Sequence, residues 1–372
     1  MDAMQEQVKA VLEAERPDIV VFDFADWMPA LARELGCKTV FFSVISSVIA
    51  TLTVETVSSK GRPLTAADFI ESVPNFTYSS QPVLSEREAY NRSVFANQPN
   101  NKVLEFLRKG VLGAKGSDAM AVRACAEMEG SHCEHLGKQY GKPVFCTGPL
   151  LEEEEEEEAP MPLLEAKIAN WLDKFDDASV VYCGFGSESV LEISQFQELI
   201  LGLELSGLPF LLASTKPPKG AASIQEAMPE GFQERVKEKG MLHVGWVPQT
   251  LILKHKSIGC YVSHGGSASM WESLVSDCQI VVAPIRQDYY VNARLMAQEL
   301  GVAVQVEKGE NGGWLSKENL STAIKSAMDG ESKVGVLVKE KHNKWRDVLL
   351  SPGFAHTYIH KFIQNLDELL GH

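Results

Sequence analysis

A chain of 372 residues, 45% of them hydrophobic and 23% charged, is long enough for two domains and has the composition of a globular protein with a large core. Its net charge is −15, and it has no basic stripe, which excludes the electrostatic footprint of a nucleic-acid-binding protein. No apolar run reaches the roughly 18 residues that a membrane-spanning helix needs, which excludes a helical membrane span.

The N-terminal part of the chain begins with a helix and a βαβ unit. Apolar residues at helical spacing predict a helix over 4–15, and the continuous apolar run at 19–22 predicts a strand buried on both faces of a parallel sheet. A crossover helix over 28–35 and a strand over 38–43 complete the unit. Residues 55–100 are weakly patterned and rich in Ser, Pro and Asn, which favours loops. The later predicted elements are a helix over 101–110 and strands over 119–123 and 143–146.

From residue 168 onward, strands and helices alternate regularly. Six short apolar runs with helical patterns between them predict a doubly wound parallel sheet, which binds ligands beyond the carboxyl ends of its strands. The predicted strands are 179–183, 208–213, 242–244, 260–262, 280–283 and 302–306. The predicted helices are 168–174, 194–205, 250–253, 269–276, 291–299 and, at the end of the chain, 354–370.

An acidic segment divides the chain. Residues 150–163 contain seven consecutive glutamates and two prolines, which is typical of a solvated linker. We therefore expect domains at 1–149 and 164–350, with 351–372 as a C-terminal helix that returns to the first domain. The seven cysteines are scattered without a CxxC pair, which argues against a metal site and favours a reducing compartment, the cytoplasm.

Two glycine-rich loops follow strands of the second half. Gly184-Phe-Gly-Ser187 lets a phosphate or sugar approach the backbone, although a plain tight turn is an equally good interpretation. After the fourth strand, His264-Gly-Gly-Ser-Ala-Ser269 leads into a helix whose amides and dipole favour a diphosphate. Ser269 as N-cap with Glu272 three residues later predicts a capping box, so a purely structural helix start is the alternative.

Two further strand ends carry side chains that can bind a ligand. Trp246 follows the third strand and can stack on a nucleobase, although a tryptophan more often lies in a core. Asp288 follows the fifth strand and can hold sugar hydroxyls, although an isolated aspartate is more often a solvated turn residue. Because these features occur at successive strand ends, they indicate one binding site.

The spacing of these residues resembles the signature box of plant UDP-dependent glycosyltransferases. Residues 246–289 carry W-V-P-Q-x-x-I-L-x-H-x-x-I-G-x-x-V-S-H-x-G-x-x-S-x-x-E-S-L and then P-x-x-x-D. Gly148-Pro149 and residues 270–279 extend the resemblance and are similar to the branch that adds a sugar to a flavonoid or anthocyanin glycoside. The resemblance implies a GT-B fold of two Rossmann-like domains with parallel sheets, in which the second domain binds the donor.

The resemblance implies roles at the nucleoside end of a UDP-sugar. Trp246 would stack on uracil, and Val247 would offer its backbone. Gln249 would lie near the ribose, whose hydroxyls Glu272 would hold.

The resemblance also implies roles at the diphosphate and the sugar. His264, Gly266 and Ser269 would contact the diphosphate together with helix amides, and Ser187 would lie on the same side. Asp288 would bind hydroxyls of the donor sugar. No metal or other cofactor would be required, because the helix N-terminus stabilises the leaving UDP.

The chemistry that the resemblance implies is an inverting displacement in which a histidine deprotonates the acceptor hydroxyl and an aspartate steadies it. Asp23 matches that supporting aspartate, with an ordinary strand-end residue as the alternative. In the family the catalytic histidine lies in the loop after the first strand, whereas no histidine precedes His132 here. By resemblance we therefore expect the N-terminal domain to lack about its first 90 residues, and with them its opening strands and its base.

Two functional hypotheses therefore stay open. The first is transfer of a sugar from a UDP-sugar to a hydroxyl of a flavonoid-type glycoside or similar small plant metabolite. The second is a catalytically inactive UDP-sugar-binding protein. Neither the acceptor, the oligomeric state nor the sugar, among glucose, xylose, rhamnose and galactose, can be assigned from the sequence.

Four positions depart from the family's pattern. Tyr289 occupies the place of a glutamine, which affects the contacts to the donor sugar. Gly265, Ser267 and Ala268 stand where the family usually has Cys, an aromatic residue and Asn or Gly. We therefore expect UDP to bind more weakly than in a relative with the aromatic residue.

Overall fold

The computed structural model describes residues 4–58, 60–150, 164–186, 190–285, 287–308 and 315–371. They form two compact units. Unit 1 comprises Met1–Leu150 and Ser351–His372, and unit 2 comprises Leu151–Leu350. Among the described residues, no helix is long and apolar enough to cross a bilayer.

Unit 1 is built on a parallel sheet with helices packed around it. The strand order is β1-β2-β3-β4. The strands are β1 Ile19–Phe22, β2 Lys38–Ser43, β3 Ala119–Val122 and β4 Val144–Cys146. The helices are α1 Gln5–Glu15, α2 Met28–Glu34, α3 Ser47–Thr56, α4 Ala66–Glu71, α5 Glu86–Ala96, α6 Lys102–Gly116, α7 Ala126–Tyr140 and, at the end of the chain, α17 Phe354–Leu370.

The strand β1 differs from its prediction. The apolar run was expected to be buried on both faces, but Val21 is 51% exposed. The reason is its position, because β1 pairs only with β2 among the described strands and so lies at the sheet edge. By contrast, β3 lies between two strands and is buried throughout.

Residues 55–100 contain two helices where loops were predicted. Each begins with a capping box. Thr65 donates its backbone N–H and hydroxyl to Asp68, both at 2.8 Å, at the start of α4. At the start of α5, Ser85 donates its backbone N–H to the Glu88 carboxylate at 2.8 Å, and the Glu88 N–H donates back to Ser85 Oγ at 3.3 Å. The sequence signal was therefore the S/T-x-x-D/E spacing, which a judgement from overall composition does not detect.

Unit 2 is a doubly wound sheet of six parallel strands in the order β10-β9-β8-β5-β6-β7. The strands are β5 Val180–Gly184, β6 Phe210–Ser214, β7 Gly240–Val244, β8 Ile258–Ser263, β9 Gln279–Val282 and β10 Ala303–Gln305. All six predicted strands are confirmed within a few residues. The two central strands are buried throughout, as expected for near-continuous apolar runs in a parallel sheet.

Helices cover both faces of this sheet. They are α8 Ala166–Leu172, α9 Ile193–Ser206, α10 Ile224–Ala227, α11 Phe232–Arg235, α12 Gln249–Leu253, α13 Ser267–Leu274, α14 Gln287–Arg294, α15 Lys317–Met328 and α16 Lys333–Leu349, with a π-helical turn at Leu295–Glu299. The strand order reverses between β5 and β8. That point opens the crevice in which doubly wound folds bind ligands.

Candidate donor site

Two glycine-rich turns lie side by side at the reversal of strand order. Gly184 ends β5 and pairs in register with Ser263 at the end of β8. The turn after β5 contains Gly186 at φ +71°, and the turn after β8 contains Gly265 at φ +85°. Glycine tolerates this left-handed region, whereas most residues are strained there. The loops after β5 and β8 can therefore turn sharply at the two strand ends, on either side of the crevice.

The helix α13 starts directly above this crevice. Its N-cap is Gly266, so Ser269 is the third helical residue and the predicted capping box with Glu272 is wrong. The physical reason is the sharp turn at Gly265, which lets the helix begin two residues earlier than expected. The eight-residue helix thus points its N-terminal amides and positive dipole end at the strand ends, an arrangement that suits an anionic group.

His264 is packed tightly between the two turns. It is only 6% exposed, and its ring meets the edge of Tyr289 with centroids 4.7 Å apart. A Cβ at Gly186 would lie 2.9 Å from the imidazole Cε1, and one at Gly266 would lie 2.5 Å from Nε2. The histidine therefore occupies space that only glycines leave available, which holds its ring in one position.

Gln249 joins the strands to the helix. Its side-chain Nε2 donates to Glu272 Oε2 at 2.5 Å and approaches Ser269 Oγ at 3.4 Å. Its Oε1 accepts from the hydroxyls of Tyr182 and Tyr261, each at 3.0 Å. Burial raises the pKa of both tyrosines, so their hydroxyls stay protonated donors at neutral pH. The predicted ribose-side residues Gln249 and Glu272 are thus brought together by a hydrogen bond.

Trp246 and Val247 behave differently although they are neighbours. Trp246 is 68% exposed, so the core interpretation of this tryptophan does not apply. Val247 packs against the apolar cluster beneath β5 and β6. The exposed indole sits on the loop after β7 and offers a flat apolar surface, which is what a nucleobase needs for stacking.

Of the remaining predicted residues of unit 2, the structure describes Asp288 and Tyr289. Asp288 is exposed and lies in the first turn of α14 rather than in a loop, where a carboxylate also favours the helix dipole. Tyr289 follows it and contacts His264. Ser187 lies outside the described residues.

Three residues of this site received no role from the sequence. Tyr182 and Tyr261 stack at 5.2 Å and bond Gln249. The available signal was a tyrosine at matching positions of two strands that are otherwise apolar. Asn292 is 1% exposed, and its Nδ2 donates to Gly265 O at 2.8 Å. This bond ties α14 to the turn after β8.

Asp23 belongs to unit 1. It is exposed directly after β1, and the next residue, Phe24, has φ +43°. Phe24 stacks on Phe106 with centroids 4.3 Å apart, which supports this strained turn. In the same unit, His132 and His135 lie 3.2 and 2.9 Å from the carbonyls of Pro74 and Ser72.

The described residues contain no group of three or more His, Cys, Asp or Glu side chains that could hold a metal ion. All seven cysteines are free thiols, and the sulfur atoms of Cys133 and Cys146 lie 3.3 Å apart.

Comparison with known proteins identifies the family. A family model described as UDP-glucoronosyl and UDP-glucosyl transferase matches residues 223–342, which include the stretch 246–289. The chain is 43% identical over 370 residues to UDP-glycosyltransferase 79B6 of Arabidopsis thaliana. It is 42% identical over 375 residues to the anthocyanidin 3-O-glucoside 2'''-O-xylosyltransferase of the same plant. Each match covers 100% of this chain and 79% of the relative.

Solved structures agree with this result. A UGT transferase from Siraitia grosvenorii in complex with UDP matches with a TM-score of 0.77 at 27% identity, covering 99% of this chain and 87% of that one. Phytolacca americana UGT2 complexed with UDP-2fluoro-glucose and pterostilbene has a TM-score of 0.72 at 22% identity, covering 98% and 80%, and supports the fold alone. The predicted GT-B fold and family are confirmed, and the chain belongs to the plant UDP-glycosyltransferases.

Proposed function

We propose that unit 2 binds the UDP part of a sugar donor at the reversal of strand order. The observation that carries this proposal is the convergence of three elements at one sheet edge. They all lie at the carboxyl ends of the strands: the exposed indole of Trp246, the hydrogen-bonded pair Gln249–Glu272, and the N-terminus of α13 beside His264. Uracil would stack on the indole, the ribose hydroxyls would bond to Glu272, and the diphosphate would face the helix amides.

The diphosphate contacts need no general positive field, which suits an acidic chain. Helix amides, Ser269 and His264 would supply the hydrogen bonds that stabilise the leaving UDP. On this proposal the donor is a co-substrate and no metal is required. Asp288 and Tyr289, in the first turn of α14, would face the sugar, and Ser187 would add a phosphate contact.

We further propose a flavonoid-type glycoside as the acceptor. One of the similar relatives is named as a xylosyltransferase that acts on an anthocyanidin 3-O-glucoside, at 42% identity over the whole of this chain. UDP-xylose is therefore the first donor to test, and UDP-glucose the second. The reaction would invert the anomeric centre, because the acceptor oxygen bonds to that carbon as UDP leaves from the opposite face. The acceptor proton would go to a base that Asp23 steadies. By resemblance this base is a histidine of the N-terminal domain, and since this sequence has no histidine before His132, another group has to take that role here.

The experiment is a product assay with UDP-xylose or UDP-glucose and an anthocyanidin 3-O-glucoside, read by mass spectrometry. The proposal predicts a product carrying one added sugar, lost in Glu272→Gln because the ribose contact loses its charge. Asp177→Asn is the matched control. That carboxylate is 76% exposed and precedes β5, at the opposite end of the strands, so its removal should leave the product yield unchanged.

Two results would overturn parts of the proposal. If UDP binds but neither donor gives product, the chain is a UDP-sugar-binding protein without turnover on these acceptors. If Glu272→Gln and Asp177→Asn have equal activity, the donor site is wrongly placed. Asp23→Asn tests the supporting role separately, because it should lower kcat while leaving UDP affinity unchanged. An unchanged kcat would identify Asp23 as an ordinary strand-end residue.

The cysteine usage of the sequence bears on the compartment. The seven cysteines are scattered along the sequence without a CxxC pair, a usage that favours a reducing compartment, and we propose the cytoplasm. Fractionation of cells expressing the tagged protein tests this, and recovery in the secreted fraction would contradict it.

A further inference from the structure

Two buried tyrosines hold one amide from the same side. Tyr182 on β5 is 1% exposed and Tyr261 on β8 is 0% exposed. Their rings stack with an interplanar angle of 13°, which brings both hydroxyls to Gln249 Oε1 at 3.0 Å. A phenylalanine would fill the same space without needing a partner, whereas each buried hydroxyl needs a hydrogen bond.

The neighbouring backbone leaves room for this arrangement. A Cβ at Gly184 would lie 2.8 Å from the Tyr182 hydroxyl and 2.9 Å from Gln249 Oε1. Either distance is too short for a real Cβ, so the side chain of any other residue would push the amide away. The glycine at the end of β5 therefore serves the amide as well as the turn.

Charge fixes which way the amide faces. With Nε2 toward Glu272, the contact at 2.5 Å is a donor on a carboxylate. With the amide reversed, two oxygens would meet at that distance, which is repulsive. The two tyrosine hydroxyls add to this preference because they donate to the oxygen that then points inward.

We propose that Tyr182 and Tyr261 are positioning residues that lock the Gln249 amide, and that this amide holds the Glu272 carboxylate in place for the ribose hydroxyls. A carboxylate can accept about four hydrogen bonds, so Glu272 can bond a ribose hydroxyl while it accepts from Gln249. The inference rests on the proposed donor site. It adds that selectivity for ribose over 2′-deoxyribose originates in the sheet, with Gln249 and Glu272 between the tyrosines and the ligand.

The test compares the dissociation constants of UDP and 2′-deoxy-UDP by isothermal titration. For the unmodified protein we expect UDP to bind about 10-fold to 150-fold more tightly, the range of one hydrogen bond to a charged group. In Tyr182→Phe/Tyr261→Phe this ratio should fall below about threefold, because Gln249 Oε1 then has neither donor to anchor it, and the amide can shift and carry the Glu272 carboxylate out of position. The single variants should lie between, since one hydroxyl still donates.

The matched control is Tyr358→Phe in unit 1. That tyrosine is 7% exposed, and its hydroxyl accepts from Ala126 N at 2.7 Å and donates to Glu127 at 2.5 Å. The variant removes the bonded hydroxyl of another buried tyrosine that is far from the donor site in sequence, and the ratio of the two dissociation constants should not change.

A second variant gives a pH readout that loss of packing would not produce. Gln249→Glu places two carboxylates at hydrogen-bond distance, which raises the pKa of the pair and makes them share a proton. The preference for UDP over 2′-deoxy-UDP should be lost at pH 8 and partly recover near pH 5.5. The unmodified protein should show a flat ratio over the same range.

The outcomes separate the two levels of the proposal. If the double tyrosine variant keeps the full ratio, or if Gln249→Glu shows a flat ratio, the positioning role is wrong. If Glu272→Gln itself leaves the ratio unchanged, the donor site is wrong and the positioning role falls with it. A lower affinity for both nucleotides at an unchanged ratio would make the tyrosines structural only, and would also overturn the inference.

Discussion

Replacing Trp246 with alanine tests the stacking surface of the donor site. The indole is 68% exposed, so about a third of its surface packs on the protein. For a side chain of about 250 Å², that is roughly 80 Å², or at most about 2 kcal/mol of folding free energy at 25 cal/mol per Å². The variant should therefore stay folded at 25 °C.

The same variant should bind UDP more weakly. Stacking of a base on an aromatic side chain contributes about 1–3 kcal/mol by alanine substitution, or roughly 5-fold to 150-fold in the dissociation constant. Trp246→Phe keeps a ring and should lose less. Isothermal titration with UDP measures both.

Tyr90→Ala is the control, because Tyr90 is 60% exposed on α5 in unit 1 and should leave UDP binding unchanged. If Trp246→Ala binds UDP within twofold of the unmodified protein, the indole is not the base-stacking surface.

Four further substitutions follow from the packing. Gly184→Ala should weaken UDP binding about tenfold or more by displacing the amide network; equal affinity would show that the network tolerates the methyl group. Gly266→Ala puts a carbon 2.5 Å from His264 Nε2, so thermal melting should report a loss of about 1–3 kcal/mol, and an unchanged melting temperature would contradict the tight packing. Tyr289→Ala removes the ring edge against His264 and should weaken UDP binding about 2-fold to 10-fold by titration, with no change arguing against a supporting role. Burial lowers the pKa of His342 below its usual value of about 6.5, so the unfolded state takes up a proton at a higher pH than the folded state. The free energy of unfolding should therefore fall as the pH falls from about 7 to 5. Urea titrations should show a weaker pH dependence for His342→Gln, and an identical pH dependence would refute this role of His342.

The doubly wound sheet of unit 2 could be predicted because its strands are buried apolar runs between helical patterns. The positions of Trp246, Gln249 and His264 at strand ends followed from the same alternation. The start of α13 could not be predicted in the same way. Whether Ser269 caps the helix depends on Gly265, whose left-handed backbone begins the helix earlier, and a plausible capping box does not reveal this.

Contacts between distant segments account for the other differences. The tyrosine pair on β5 and β8 becomes a site feature only when the register pairs Tyr182 with Tyr261. In the same way, the apolar sequence of β1 predicts a buried strand, and only the strand order shows that β1 lies at the edge of its sheet. The helices α4 and α5 were missed for a local reason, because two capping boxes were present in a segment judged by its composition.

The most direct test of the donor site is a crystal structure of the protein with UDP. We predict uracil stacked on Trp246, a ribose hydroxyl within hydrogen-bond distance of Glu272 and the diphosphate at the N-terminus of α13 beside His264. UDP bound elsewhere, or bound in this crevice with its base away from Trp246 and its ribose away from Glu272, would contradict the account.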